Sequence, residues 1–140
     1  MTTHLTTARR RYADPLRTTI GDLGAAVFGP TFAVTLSDDL EVIERHLDGT
    51  VMPVAWLSTG AREQLAIVVR MAIARLTVDD GGAPLILDDV LGWSDPSRLQ
   101  SLHRLLGDAA RDQQVIVLTS QWGRYADVPG VGDPVRLRAS

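Results

Sequence analysis

Lysine is absent: all fourteen basic residues of this 140-residue chain are arginine. Any step that needs an ammonium group must take it from another chain. The phosphate-cradling pattern G-x-x-x-x-G-K-[ST] therefore cannot be completed, and it occurs nowhere in the sequence. Cysteine is absent too, which excludes a disulfide framework and a thiolate metal site. No apolar run free of charge is long enough to span a bilayer, so no membrane partner is expected. Residues 1–11 are polar with no apolar stretch behind them and do not read as a secretory signal. Together these absences favour a cytoplasmic protein. There is no internal repeat and no low-complexity tract. The formal net charge of −3 hides no strongly basic face in its totals. The only basic run, Arg9-Arg10-Arg11, reads as a solvated helix end rather than a phosphate contact. His4, His46 and His103 share no metal-ligand spacing and are expected at the surface.

What is present suits one soluble domain with a modest core: 45% hydrophobic and 22% charged residues. Asp14-Pro15 predicts a helix start, with Asp14 as N-cap and Pro15 at the first helical position. Leu16, Ile20, Leu23 and Val27 continue it at helical spacing, and Gly29-Pro30 ends it. Residues 1–13 are then a polar lead-in and residues 14–140 the domain proper. Phe32, Val34 and Leu36 alternate with polar or small residues as a half-buried strand. Strands over 40–47 and 50–54 are joined by Asp48-Gly49, a two-residue turn in which both positions tolerate positive φ. Residues 62–76 predict a helix apolar almost all round, hence buried. Asp79-Asp80-Gly81-Gly82 reads as a surface loop. A short apolar strand over 84–87, an amphipathic helix over 96–110 and a strand over 114–119 form a parallel βαβ unit with a right-handed crossover. Residues 135–137 suit an edge strand. The fold class is α/β: a parallel βαβ core, a small antiparallel hairpin unit and an N-terminal helix.

Two segments carry chemistry. Leu85-Ile86-Leu87-Asp88-Asp89 is a strand ending in two carboxylates, and the carboxyl end of a parallel strand faces the ligand crevice. Asp88 suits a magnesium ion, held largely through water, and Asp89 suits the orientation of an attacking water. Acids also follow strands simply to begin turns, so this signal alone is weak. Leu57-Ser58-Thr59-Gly60-Ala61-Arg62-Glu63-Gln64-Leu65 opens the buried helix. Free N–H groups and a positive dipole end there suit a phosphate, Gly60 permits close approach, and the Ser58 hydroxyl can donate. The same residues also read as an ordinary cap, with Gly60 as N-cap and Glu63 reaching back. Trp56 precedes the second segment, Trp93 follows the first and Trp122 follows the strand over 114–119, either as core filling or as an aromatic rim of a docking surface.

The stretch 57–65 resembles the ABC signature motif in the form used by structural-maintenance-of-chromosomes (SMC-like) and DNA-repair ATPases, among the bacterial AAA-family ATPases. Residues 84–89 resemble Walker B, Ser94-Asp95-Pro96 resembles the D-loop, and Leu118-Thr119-Ser120-Gln121 falls where the family's switch histidine is expected. The order and placement of all four match, from about residue 28 to 121, and the hairpin with its Asp48-Gly49 turn matches too. The resemblance implies the C-terminal lobe of an ABC-type, P-loop NTPase head. It implies a magnesium-binding Asp88, a water-directing Asp89 and a γ-phosphate-sensing Gln121 serving ATP held by another lobe. It also implies that Ser58, Thr59, Gly60 and Asp95 serve the nucleotide of a second head, docked face to face.

Two substitutions depart from the family: Asp89 stands for its glutamate, one methylene shorter, and Gln121 for its histidine, which removes a cation but keeps a donor. The phosphate loop is the largest departure. In the family it lies in the N-terminal lobe, across a long coiled coil whose returning strand would end near residue 13. The implied partner is thus a lobe carrying that loop, or a complete head, with homo-association and DNA by family analogy alone. Chromosome segregation and DNA repair are implied the same way. A module that docks on a complete ATPase and modulates it, and an inactive remnant, are the competing readings.

Overall fold

The computed structural model describes residues 2–80, 83–88 and 95–138. Helix α1 (Thr2–Phe28) leads into strand β1 (Ala33–Leu36), β2 (Val42–Leu47) and β3 (Thr50–Pro53). A single 3-10 turn, Val54–Trp56, then leads to helix α2 (Thr59–Thr77). After it come β4 (Leu85–Asp88), α3 (Pro96–Asp112) and β5 (Val115–Leu118).

The expected antiparallel unit is present. β1, β2 and β3 form a meander in which Leu47 pairs with Thr50 around the Asp48-Gly49 turn. Both turn residues have positive φ, +49° and +77°, as a type I′ turn requires. Thr31 clasps that turn: its hydroxyl donates to the Asp48 carboxylate at 2.6 Å and accepts from the Asp48 amide at 2.9 Å. The parallel pair is present as well, β4 against β5 with α3 between them in sequence.

One apolar core unites these elements. Leu16, Ile20, Leu23 and Val27 form the buried stripe of α1, which packs on α2 and β1. Leu65, Val68 and Met71 of α2, Leu87 of β4, and Leu102 and Leu106 of α3 complete it. Side chains such as Ile20 and Leu102, with no exposed surface, contribute roughly 1.5–3 kcal/mol each through burial.

The structure corrects five expectations. The helix does not start at Asp14; it runs through Pro15, which lies inside it. Residues 9–12 and 14–15 are exposed, so water can satisfy the carbonyl that proline leaves without a donor. Asp14 pairs instead with Arg17 at 2.8 Å. Second, α2 is buried on one side only: Arg62, Ala66, Arg70 and Ile73 are exposed. Third, β4 alternates, with Leu85 and Leu87 buried and Ile86 and Asp88 exposed, rather than being covered on both faces. Fourth, residues 135–137 form no strand, and Val135 and Leu137 are exposed. Fifth, His103 is buried, where its Nε2 meets the backbone oxygen of Arg124. His46 is half-buried and bonds the Thr35 hydroxyl at 2.7 Å. Among the described residues no helix is long and apolar enough to cross a membrane.

Candidate nucleotide site

Parallel register places Asp88 and the segment that leads to Gln121 at the same end of the sheet. Asp88 pairs with Leu118, so Gln121, three residues beyond, follows β5 at the same carboxyl end of the sheet. The Asp88 side chain is exposed and makes no hydrogen bond or ion pair among the described residues. A free carboxylate at a strand end is the hard oxygen donor that magnesium takes. Among the described residues no group of three or more His, Cys, Asp or Glu side chains assembles to hold a metal. Among the described residues, Asp88 could give such an ion one oxygen ligand and no more at this strand end. Asp89, Trp93 and Ser94 lie outside the described residues.

Gln121 is oriented from two sides. Its backbone amide donates to the Thr119 hydroxyl at 2.9 Å, and its side-chain oxygen accepts from Arg124 Nε at 2.7 Å. Holding the oxygen this way aims the amide NH2 group elsewhere as a donor. Arg124 belongs to a 3-10 turn, Trp122–Arg124, tied to α3 by the His103 contact. Arg124 and His103 are positioning residues that sequence reading missed. The i, i+3 spacing of Gln121 and Arg124 was the available signal.

At the signature segment the N-cap is Ser58, not Gly60. Ser58 adopts extended backbone, φ −60° and ψ 156°, and its Oγ accepts from the Ala61 amide at 3.2 Å. The Arg62 amide bonds the Ser58 carbonyl at 2.9 Å. Thr59 and Gly60 are then the first two helical residues, whose amides have no carbonyl one turn back to bond. The Ser58 hydroxyl, accepting through its oxygen, keeps its proton to donate. Cap and anion site are thus compatible in one geometry, and Glu63 is not needed for the cap.

Asp95 caps α3. Its Oδ1 accepts from the Arg98 amide at 3.0 Å and from the Ser97 hydroxyl at 2.8 Å, and Arg98 Nε lies 3.5 Å from Oδ2. The carboxyl is held below its ordinary value, first by the Arg98 amide hydrogen bond and next by the Ser97 hydroxyl. Two of the aromatic positions are open: Trp56 is 77% exposed and Trp122 partly so, which rules out core filling for Trp56.

No family model matches the chain. An uncharacterized protein of Mycobacterium tuberculosis strain H37Rv is 42% identical over 130 residues, 93% of this chain. An uncharacterized protein of Mycobacterium bovis matches at the same identity and extent. The chain spans 15% of the length of these relatives. Among solved structures, one described under ATP-driven dimerization and DNA-stimulated activation of SMC ATPases superimposes with a TM-score of 0.73. It shares 16% identity and covers 95% of this chain and 83% of its own. An SMC head bound to the C-winged helix domain of ScpA gives a TM-score of 0.69 at 16% identity, covering 85% of this chain and 38% of its own. The parallel β4–β5 pair, the hairpin unit and the helices thus take the α/β fold of a lobe of the SMC ATPase head.

Proposed function

We propose that this chain is the signature-bearing half of an ATP-hydrolysing head and works only with a lobe that supplies the phosphate loop. The observation that carries this reading is the common carboxyl end of two paired parallel strands, one finishing at Asp88 and the other leading to Gln121. There Asp88 would hold magnesium, which neutralises charge on the phosphates. Asp89 would direct the attacking water, and the NH2 group of Gln121 would meet the γ-phosphate. Ser58, with the Thr59 and Gly60 amides, would meet the nucleotide of a facing head, and Asp95 would lie at the contact between heads. The open face of the parallel pair supports the need for a second lobe, because Ile86 is 53% exposed and Leu118 is exposed beside it.

Reconstitution tests the reading. The chain alone should not turn over ATP; mixed with a lobe carrying a lysine-containing phosphate loop, it should. Turnover by the purified chain alone, unchanged by Asp88→Asn, would sink it.

The exposure of Trp56 favours a second reading, a binding module that docks on a complete ATPase. The same assay separates the two, because a module alters the turnover of a complete head and does not complete an incomplete one.

A further inference from the structure

Gln121 carries an amide with one end engaged and the other open. Its oxygen accepts from Arg124 Nε at 2.7 Å, while its NH2 group makes no hydrogen bond among the described residues. Gln121 is exposed and Arg124 half-buried. The turn explains the pairing: Arg124 ends the 3-10 turn that Gln121 caps, and side chains three apart in such a turn eclipse. The turn itself is braced. The Arg124 amide bonds the Gln121 carbonyl at 3.1 Å, and the Arg124 carbonyl meets Nε2 of His103 on α3. Tyr125, next in the chain, is buried in the core. The guanidinium therefore reaches the glutamine from a fixed base.

We propose that Gln121 and Arg124 form one anion-binding unit for a phosphate group, with Gln121 making the contact and Arg124 supplying the charge. A carboxamide alone is ambivalent, offering an acceptor at one end and two donors at the other. A guanidinium on its oxygen leaves the donors to face a ligand. Hydrogen bonds in a chain polarise one another, so a cation at the oxygen strengthens the N–H groups as donors. Both effects favour a negative ligand. Asp88, at the same carboxyl end of the sheet, makes no hydrogen bond or ion pair among the described residues, so the unit is not spent on it. Arg124 is a positioning residue, because it acts through its neighbour. The inference rests on the half-head reading only in taking the phosphate to be that of a nucleotide.

The test uses the isolated chain and reads binding, not turnover. Inorganic phosphate is titrated into 15N-labelled protein at constant pH and ionic strength, with chloride as the balancing anion. The expected result is a saturable shift of the Gln121 side-chain NH2 signals. Arg124→Gln should weaken binding roughly ten- to a hundredfold, the loss of one charge-assisted contribution. Arg124→Lys keeps the charge without the fork and should lie nearer wild type than Arg124→Gln. Arg70→Gln, on the exposed side of α2, should leave binding unchanged. A parallel titration with ATP without magnesium identifies the source: binding at least as tight, with the same dependence on Arg124, assigns a nucleotide, and a response to inorganic phosphate alone assigns the free ion. No saturable response of the wild-type NH2 signals to either ligand overturns the proposal, and that result needs no variant to fold. Wild-type affinity in Arg124→Gln overturns it, and so does an Arg124→Lys chain as weak as Arg124→Gln, which would make Arg124 a brace of the turn and nothing more. Reconstituted heads read the half-head proposal separately. No turnover there with the phosphate response intact removes that reading and keeps the unit; turnover there with no response in the isolated chain does the reverse.

Discussion

Asp88 and Leu118 are register partners across the β4–β5 ladder, so an acid and an exposed leucine share one face of a two-stranded parallel sheet. Paired residues in a sheet project to the same side, and here that is the side also occupied by Ile86. The candidate metal ligand thus stands at the rim of an uncovered apolar surface rather than in a closed pocket.

In heads reconstituted with a phosphate-loop lobe, Asp88→Asn should lower ATP turnover on the order of a hundredfold or more, since the metal supplies several kcal/mol of charge stabilisation. Ser58→Arg should abolish turnover by blocking the surface that faces the opposite nucleotide. A mixed dimer of one Asp88→Asn head and one Ser58→Arg head places both lesions on one composite site. The other site should keep its activity, measured as phosphate release. Loss of both would show that Ser58 does not serve the opposite nucleotide or that the sites are not independent.

Ile86→Glu should leave the isolated chain folded, with stability within about 0.5 kcal/mol of wild type, because the side chain is exposed. Its affinity for the phosphate-loop lobe should fall roughly tenfold, the effect of removing an apolar anchor from an interface core. Calorimetric titration of the two lobes reads this directly. Unchanged affinity would mean that the lobe does not cover this face.

Asp95→Asn keeps a capping oxygen but loses the charge. The folded carboxyl is held below its ordinary value of 3.8. A depressed carboxyl stabilises the fold above its unfolded pKa, and that share is lost as pH falls through the lower, folded value. Wild type should therefore melt slightly above Asp95→Asn at neutral pH, and the gap should close below about pH 3.9, the ordinary aspartate value. Melting curves across that range check it; a gap that widens in acid contradicts the cap.

Gly24→Ala should destabilise the chain by about 1–3 kcal/mol, the usual cost of overpacking. A Cβ at this buried position on α1 would fall on the Phe32 ring, which is itself stacked on Phe28 at 4.9 Å between centroids. Gly21, one turn earlier, has open space at the same point, so Gly21→Ala should not lose stability. Chemical denaturation of the two variants makes the comparison.

Much of the fold was legible because local chemistry and tertiary demand agree. Asp48-Gly49 takes the two positive φ values its turn needs, and the leucines of α3 fall on one buried face. The parallel pairing followed from two apolar strands flanking an amphipathic helix. What was illegible depended on partners remote in sequence. Ser58 and Gly60 are both acceptable caps; extended backbone at Ser58 decides between them. His103 carries no mark of burial in its neighbours, since its partner is the Arg124 carbonyl 21 residues away. The apolar composition of β4 could not say that only one of its faces is covered within this chain. Arg45 reads as one more charge in a hairpin until the register sets it between Val34 and Met52.

Pro15 leaves one rung out of the hydrogen-bond ladder of α1. At that point the carbonyl of Arg11 has no amide to bind, while the buried residues of the helix, among those described, lie from Leu16 onward. Ahead of it, the Arg9–Asp39 ion pair at 3.2 Å ties the first half of the helix to the loop between β1 and β2. Unwinding past that point costs more, since each further turn must be peeled from the core. A proline in the middle of a helix, ordinarily a fault, here falls where α1 passes from its exposed stretch to the stretch docked on the core.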